Sequence, residues 1–238
     1  MNNKSKILLC VEGEKTDYKL MKYLFEILQF NISYEIVSYN TNIWVLYDDM
    51  FSNGHPEDYD LLGVLREREN NPEKKKRLLE KFSDVLLVFD MDPQDNRYSA
   101  QKLQEMCSFF SESTDEGKLY INYPMVESFF HVKTLPDPEF LTRFVSQDVV
   151  KNRKYKELVN KGCLFRDYKK IIKTKNNCCI IILQNHKKGT LLIDKDQPVL
   201  NQKEILEVEN KEWKLKKRIS VLNTCCLFFY EYNPSKIC

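Results

Sequence analysis

The chain has little of what metal-thiolate and imidazole sites are built from: three histidines in 238 residues, His55, His131 and His186, and no Cys-x-x-Cys pair. That scarcity argues against a structural zinc centre, which needs several such ligands at short spacing. Cysteine itself is present eight times, but Cys10, Cys107 and Cys163 are scattered, while Cys178-Cys179 and Cys225-Cys226 lie inside apolar runs, where they read as core. Thiols used in this way predict a reducing, cytoplasmic setting. No apolar run approaches the ~18 residues of a membrane span. Residues 7–11, ahead of Glu12, are too short a hydrophobic stretch for a signal peptide. Internal repeats and low-complexity tracts are also missing, and a hydrophobic fraction of 42% is ample for a core, so global disorder is excluded.

What is present is an uneven charge. The net charge of +2 conceals 17 Lys+Arg against 26 Asp+Glu in residues 1–150, and 20 against 9 in residues 151–238. The front of the chain is acidic and the rear basic. Residues 151–175, KNRKYKELVNKGCLFRDYKKIIKTK, carry ten bases against Glu157 and Asp167, with Tyr155, Phe165 and Tyr168 interleaved. That composition suits the backbone of a polyanion, with aromatics to stack on bases, and Lys169, Lys170 and Lys173 are the chosen phosphate contacts. A solvated basic helix has the same composition.

The apolar run 7–11 predicts a buried strand, and Gly13 a tight turn. Thr16 or Asp17 then caps a helix to about residue 29, with Leu20, Met21, Leu24, Ile27 and Leu28 on one face. A strand at 32–38, a helix in TNIWVLYDDMF, and a polar stretch 54–82 that is helical in its second half follow. The clearest buried strand is DVLLVFDMD, 84–92. A helix, a strand ending near Asn122 and a helix beginning at 124–127 come next. Beyond residue 138 the pattern is helical and basic, with CCIIIL (178–183) read as a core strand and RISVLNTCCLFFYEY as a terminal helix or strand-helix. Alternating strands and helices imply an α/β fold with a mostly parallel sheet and helices on both faces. The division expected is 1–140 and a basic, mainly helical region 141–238.

Parallel sheets carry their sites beyond the carboxyl ends of the strands. There the sequence has Glu12, Asp90 with Asp92, and Glu127. In VFDMD the two aspartates are spaced i, i+2, so on an extended segment both side chains point the same way and repel unless a cation lies between them. Hard oxygen ligands suit Mg2+ or Mn2+ and metal-assisted phosphodiester chemistry. DPQDN is also rich in turn formers, so these aspartates read equally as turn residues.

Together, ILLCVEGEKTD, DVLLVFDMD and INYPMVESFFH resemble the Toprim domain, the catalytic fold of topoisomerases, bacterial primases and OLD- and RloB-type nucleases. VEGEKTD is similar to the EGxxTE form of RloB-like and OLD-like proteins, with Asp17 where glutamate is usual. NYPMVESFFH is similar to the RloB-like NPxFExWxxxH, matching Glu127 and His131, with Ser128 in place of a bulkier residue. The resemblance covers about residues 6–133. It implies a Toprim fold, a metal-dependent endonuclease and a setting in bacterial anti-phage defence beside an ABC- or SMC-like ATPase. By the same resemblance Glu12 is a metal ligand or general acid/base, Asp90 and Asp92 are metal ligands, and Glu127 is an additional catalytic acid. Asp17 is a further ligand candidate that also reads as a helix cap, as is Glu14 more weakly. Lys15 either contacts phosphate or is simply solvated. His131, four residues after Glu127, is expected on the same helix face.

The leading expectation is therefore a nuclease acting on RNA, tRNA included, or DNA, with a homodimer as its assembly. The chain is short for the added tyrosine domain of a topoisomerase or the template-handling domains of a primase. The alternative is a catalytically silent Toprim-like module that binds nucleic acid or a partner. Nothing in the sequence reads the 2′-hydroxyl that separates RNA from DNA.

Overall fold

The computed structural model describes residues 6–165 and 167–237. In chain order the elements are β1 (Lys6–Val11), α1 (Asp17–Leu28), β2 (Ser33–Ser38), α2 (Ile43–Phe51), α3 (Leu61–Arg68), α4 (Pro72–Arg77), β3 (Asp84–Asp90), α5 (Ala100–Phe109), β4 (Ser111–Glu112) and β5 (Gly117–Asn122). After a short 3-10 turn (Val126–Phe130) come β6 (Phe144–Ser146), α6 (Gln147–Lys151), α7 (Tyr155–Gly162), α8 (Tyr168–Ile171), α9 (Lys175–Ile193), α10 (Gln202–Lys216), β7 (Arg218–Ser220) and α11 (Cys225–Tyr232).

The main sheet has the order β2-β1-β3-β5-β4, parallel throughout except for the antiparallel edge β4. In β1, Ile7, Leu8, Leu9, Cys10 and Val11 are all at most 1% exposed. Successive strand residues point to opposite faces, so both faces are covered. Each large aliphatic side chain buried there contributes roughly 1.5–3 kcal/mol. The chain steps from β1 to β2 on one side, then returns past β1 to β3 and continues to β5. Right-handed crossovers put α1 on one face and α2, α3 and α5 on the other. Packing agrees: Phe25 of α1 meets Phe228 and Phe229 of α11, and Phe51 of α2 meets Phe109 and Phe110 at the end of α5.

The region after residue 140 is mainly helical, as the sequence implies, and it is tied to the sheet. Tyr123 and Leu222 exchange backbone hydrogen bonds of 2.9 Å, and one hydrophobic cluster runs from Ile7 to Ile237. The reading of 178–183 as a strand is overturned: those residues lie inside α9. A short apolar run does not separate a strand from a buried helix. Here burial recurs at Cys178, Cys179, Ile181, Ile182, Asn185 and His186, and the Thr174 side chain accepts a hydrogen bond from the Asn177 amide to start the helix. Among the described residues no helix is long and apolar enough to cross a membrane.

Candidate active site

The direction of chain travel reverses between β1 and β3, so the connections that leave their carboxyl ends depart to opposite faces of the sheet and a crevice lies between them. In an open α/β sheet that crevice is where ligands bind. The β1–β3 ladder runs one bond past the strand, Glu12 N–H donating to the Val88 carbonyl at 3.2 Å, which fixes Glu12 at the mouth. The Glu12 carboxylate accepts the Asp90 N–H at 3.1 Å. Asp90, the last residue of β3, is 5% exposed and accepts from the Val126 amide at 2.8 Å and from Asn122 Nδ2 at 3.3 Å. Asn122 is its neighbour in register on β5 and is fully buried.

Asp92 departs from expectation. β3 ends at Asp90, and Asp92 has a φ of +45°, so the two aspartates do not share one face of an extended strand. Left-handed backbone is tolerated by aspartate better than by most residues, and it turns the chain into a loop anchored by α2. Trp44 Nε1 donates to the Asp92 carbonyl at 3.1 Å, and Gln94 Nε2 donates to its carboxylate at 2.7 Å. The loop is locked again at Asp95, where Arg97 donates to both carboxylate oxygens at 2.9 Å and holds the acid well below the usual range.

Asp17 opens α1 and is 8% exposed, and its Oδ1 has no hydrogen-bond partner. Thr16 stands in the capping position but makes no side-chain cap. Glu127, 7% exposed, is in the 3-10 turn, and Lys156 of α7 reaches it at 2.8 Å. That is the one ion pair any of these five acids makes among the described residues. The predicted helix at 124–127 is thus a turn, and the expected pairing of Glu127 with His131 on one helix face does not form. With three residues per turn, positions four apart do not align. His131 caps the turn and meets the Tyr155 hydroxyl through Nδ1 at 3.1 Å, and burial pushes its pKa down to about 4.

Crowding these carboxylates out of water raises their proton affinity. Burial, then the Asp92 charge, pushes Glu12 up to about 9, against the Asp90 amide that lowers it. Burial raises Asp17 to about 6, and burial followed by the Glu12 charge raises Asp90 well above the ordinary value. Asp92 is raised as well, chiefly by burial. An all-carboxylate donor set with an orphaned buried oxygen at Asp17 fits a hard divalent cation. Among the described residues, however, no three His, Cys, Asp or Glu side chains converge closely enough to enclose one ion.

Two cavities flank the acids. One of about 380 Å3 is bordered by Asp92, Met125, Val150, Arg153 and Lys156, and one of about 260 Å3 by Lys15, Glu127, Lys156 and Tyr168. Lys156 borders both. Of the basic residues singled out in the sequence, Lys15 borders the smaller cavity. Lys169, Lys170 and Lys173 border neither; Lys169 lies over the Tyr23 ring and Lys173 over Phe165, each at 5.9 Å. Two other bases of the same segment, Arg153 and Lys156, border the cavity beside Asp92, and Lys156 alone of the two pairs with an acid; the turn between α6 and α7 places them there. Asn122 carried no sequence signal at all, since its role depends on strand pairing. Comparison with family models, with curated proteins and with solved structures finds no match.

Proposed function

We infer that this chain is a divalent-metal-dependent nuclease of the Toprim kind, hydrolysing phosphodiester bonds in nucleic acid. The observation that carries the reading is the gathering of Glu12, Asp17, Asp90 and Asp92 at the sheet's topological switch point, each with raised proton affinity. Such a cluster is costly to hold without a cation and is cheap to hold with one. Glu12, Asp90 and Asp92, with Asp17 beside them, would hold Mg2+ or Mn2+, which supplies a Lewis acid and a bound water of lowered pKa. Glu127, paired with Lys156 at 2.8 Å, is the candidate to accept a proton from the attacking water. The resemblance adds an effector role in anti-phage defence, with an ATPase or a second copy as partner.

One observation favours a second reading, a silent binding module. The acids do not converge on a common point, and Lys156 already neutralises Glu127. The two readings part on one experiment: incubation of wild type and Glu12→Ala with tRNA, single-stranded DNA and duplex DNA in Mg2+ or Mn2+. Metal-dependent cleavage that Glu12→Ala abolishes supports the nuclease, and binding without cleavage supports the module.

A further inference from the structure

The cavity of about 380 Å3 is lined by Asp92 and Asp95 but by none of Glu12, Asp17, Asp90 and Glu127. Its size falls in the roughly 300–1,000 Å3 range of small-molecule sites. Its walls differ in chemistry. Pro124, Met125 and Val150 make an apolar side, Met125 half-buried and Val150 4% exposed. Across from them are the polar groups of the Asp92 loop, and these are already spoken for: Gln94 binds Asp92, and Asn42 binds Asp95 through Nδ2 at 2.9 Å.

The rim holds two cations of unequal standing. Lys156 is engaged with Glu127. Arg153 is exposed and, among the described residues, its guanidinium makes no hydrogen bond and no ion pair, acting on Asp92 only through space. It sits at the turn between α6 and α7 with a φ of +56°, and its amide is tied to the Val150 carbonyl at 2.9 Å. A fork of donors free to act, held on a fixed turn at the edge of an apolar-walled cavity, matches a phosphate attached to a flat apolar body.

We propose that this cavity binds one nucleoside monophosphate unit of a single strand, its base against Pro124, Met125 and Val150 and its phosphate on Arg153. The inference rests on the nuclease reading and narrows it, since a base enters such a cavity only when splayed out of a stack, which selects loops and single strands over duplex. Lys156 is left to its carboxylate, and Arg153 is a binding residue for substrate, apart from the acids.

The test is metal-free titration of wild type, Arg153→Gln and Met125→Trp with adenosine 5′-monophosphate, its deoxy form, adenosine and inorganic phosphate, followed by calorimetry or NMR. Wild type is expected to bind both monophosphates about tenfold more tightly than adenosine or phosphate alone, the span of one charge-assisted contact. Arg153→Gln brings the monophosphates down to the level of adenosine, and Met125→Trp weakens nucleotide and nucleoside alike. A short single-stranded oligonucleotide displaces the monophosphate and the duplex of the same sequence does not. Phosphate binding as well as the nucleotide, equal affinity in wild type and Arg153→Gln, or equal displacement by duplex overturns the proposal. Thermal melting checks that each variant folds, and the Arg153→Gln result decides the matter if Met125→Trp melts early. The Mn2+-induced melting shift of the wild type separates the two ideas. Its absence in wild type removes the nuclease reading, whereas its presence with no nucleotide binding removes only this one.

Discussion

Glu12 shows at the residue scale why a buried strand ends on a carboxylate. Its hydrogen bond from the Asp90 amide could be accepted equally by a neutral amide side chain, so the fold does not require the charge. What the charge does is repel Asp92, Asp17 and Glu127. A carboxyl raised in the folded state from an ordinary value near 4.5 to about 9 stays protonated there while the unfolded chain ionises. Its contribution to stability is therefore full below pH ~4.5 and is lost as pH rises towards 9. Lys188, depressed to about 7 by burial, acts in the opposite direction over the upper part of that range. The clean measurement is accordingly the difference between Glu12→Gln and wild type. Without metal, Glu12→Gln is expected to equal wild type in melting temperature at pH 4 and exceed it at pH 8.5, while losing cleavage. A variant less stable than wild type at both pH values would show that Glu12 is held for the fold. Much of this site was legible in the residues: Glu12, Asp90, Asp92 and Glu127 do gather at one crevice. The arrangement of Asp92 was not, because an i, i+2 spacing gives a common face only while the backbone stays extended, and β3 stops at Asp90.

Among the elements, β1 and β3 could be read because parallel strands buried on both faces are continuous apolar runs, whereas β2, SYEIVS at the sheet edge, is only partly buried over its first half and carries a weaker signal. The exception, α9, is apolar over 178–183 for a different reason: it is enclosed between α1, α10 and α11. Its helical start depends on Thr174, whose hydroxyl accepts the Asn177 amide at 3.2 Å. Thr174→Ala is expected to cost about 1 kcal/mol in chemical unfolding, the usual loss of an N-cap. No change beyond a few tenths would mean that this cap does not matter to the helix. The turn between α6 and α7 was equally beyond the sequence, since ten bases in a row of twenty-five give no hint that Arg153 and Lys156 border the cavity beside Asp92 while Lys169 and Lys173 lie over rings.

The whole molecule brings the acidic front and part of the basic rear of the chain to one mouth within a single protomer. The junction is buried and polar: Asn122 donates to Asp90 and accepts the Thr224 amide at 3.1 Å, so the strand that carries the site is bonded to the start of α11. Asn122→Ala leaves the Thr224 donor unpaired and is expected to cost ~1–3 kcal/mol. Because the core is continuous, wild type and this variant should each unfold in one transition in calorimetry, and two resolved transitions would mean that residues before and after 140 fold separately. The central claim, that the crevice carboxylates exist to hold a divalent cation, is tested most directly by melting the protein across a Mg2+ or Mn2+ titration. Wild type should gain about 2.7 kcal/mol at a hundredfold excess of metal over Kd, and the doubly substituted Asp90→Asn, Asp92→Asn protein should gain nothing. A wild type that metal leaves unshifted, or a double variant that shifts as wild type does, would contradict the account.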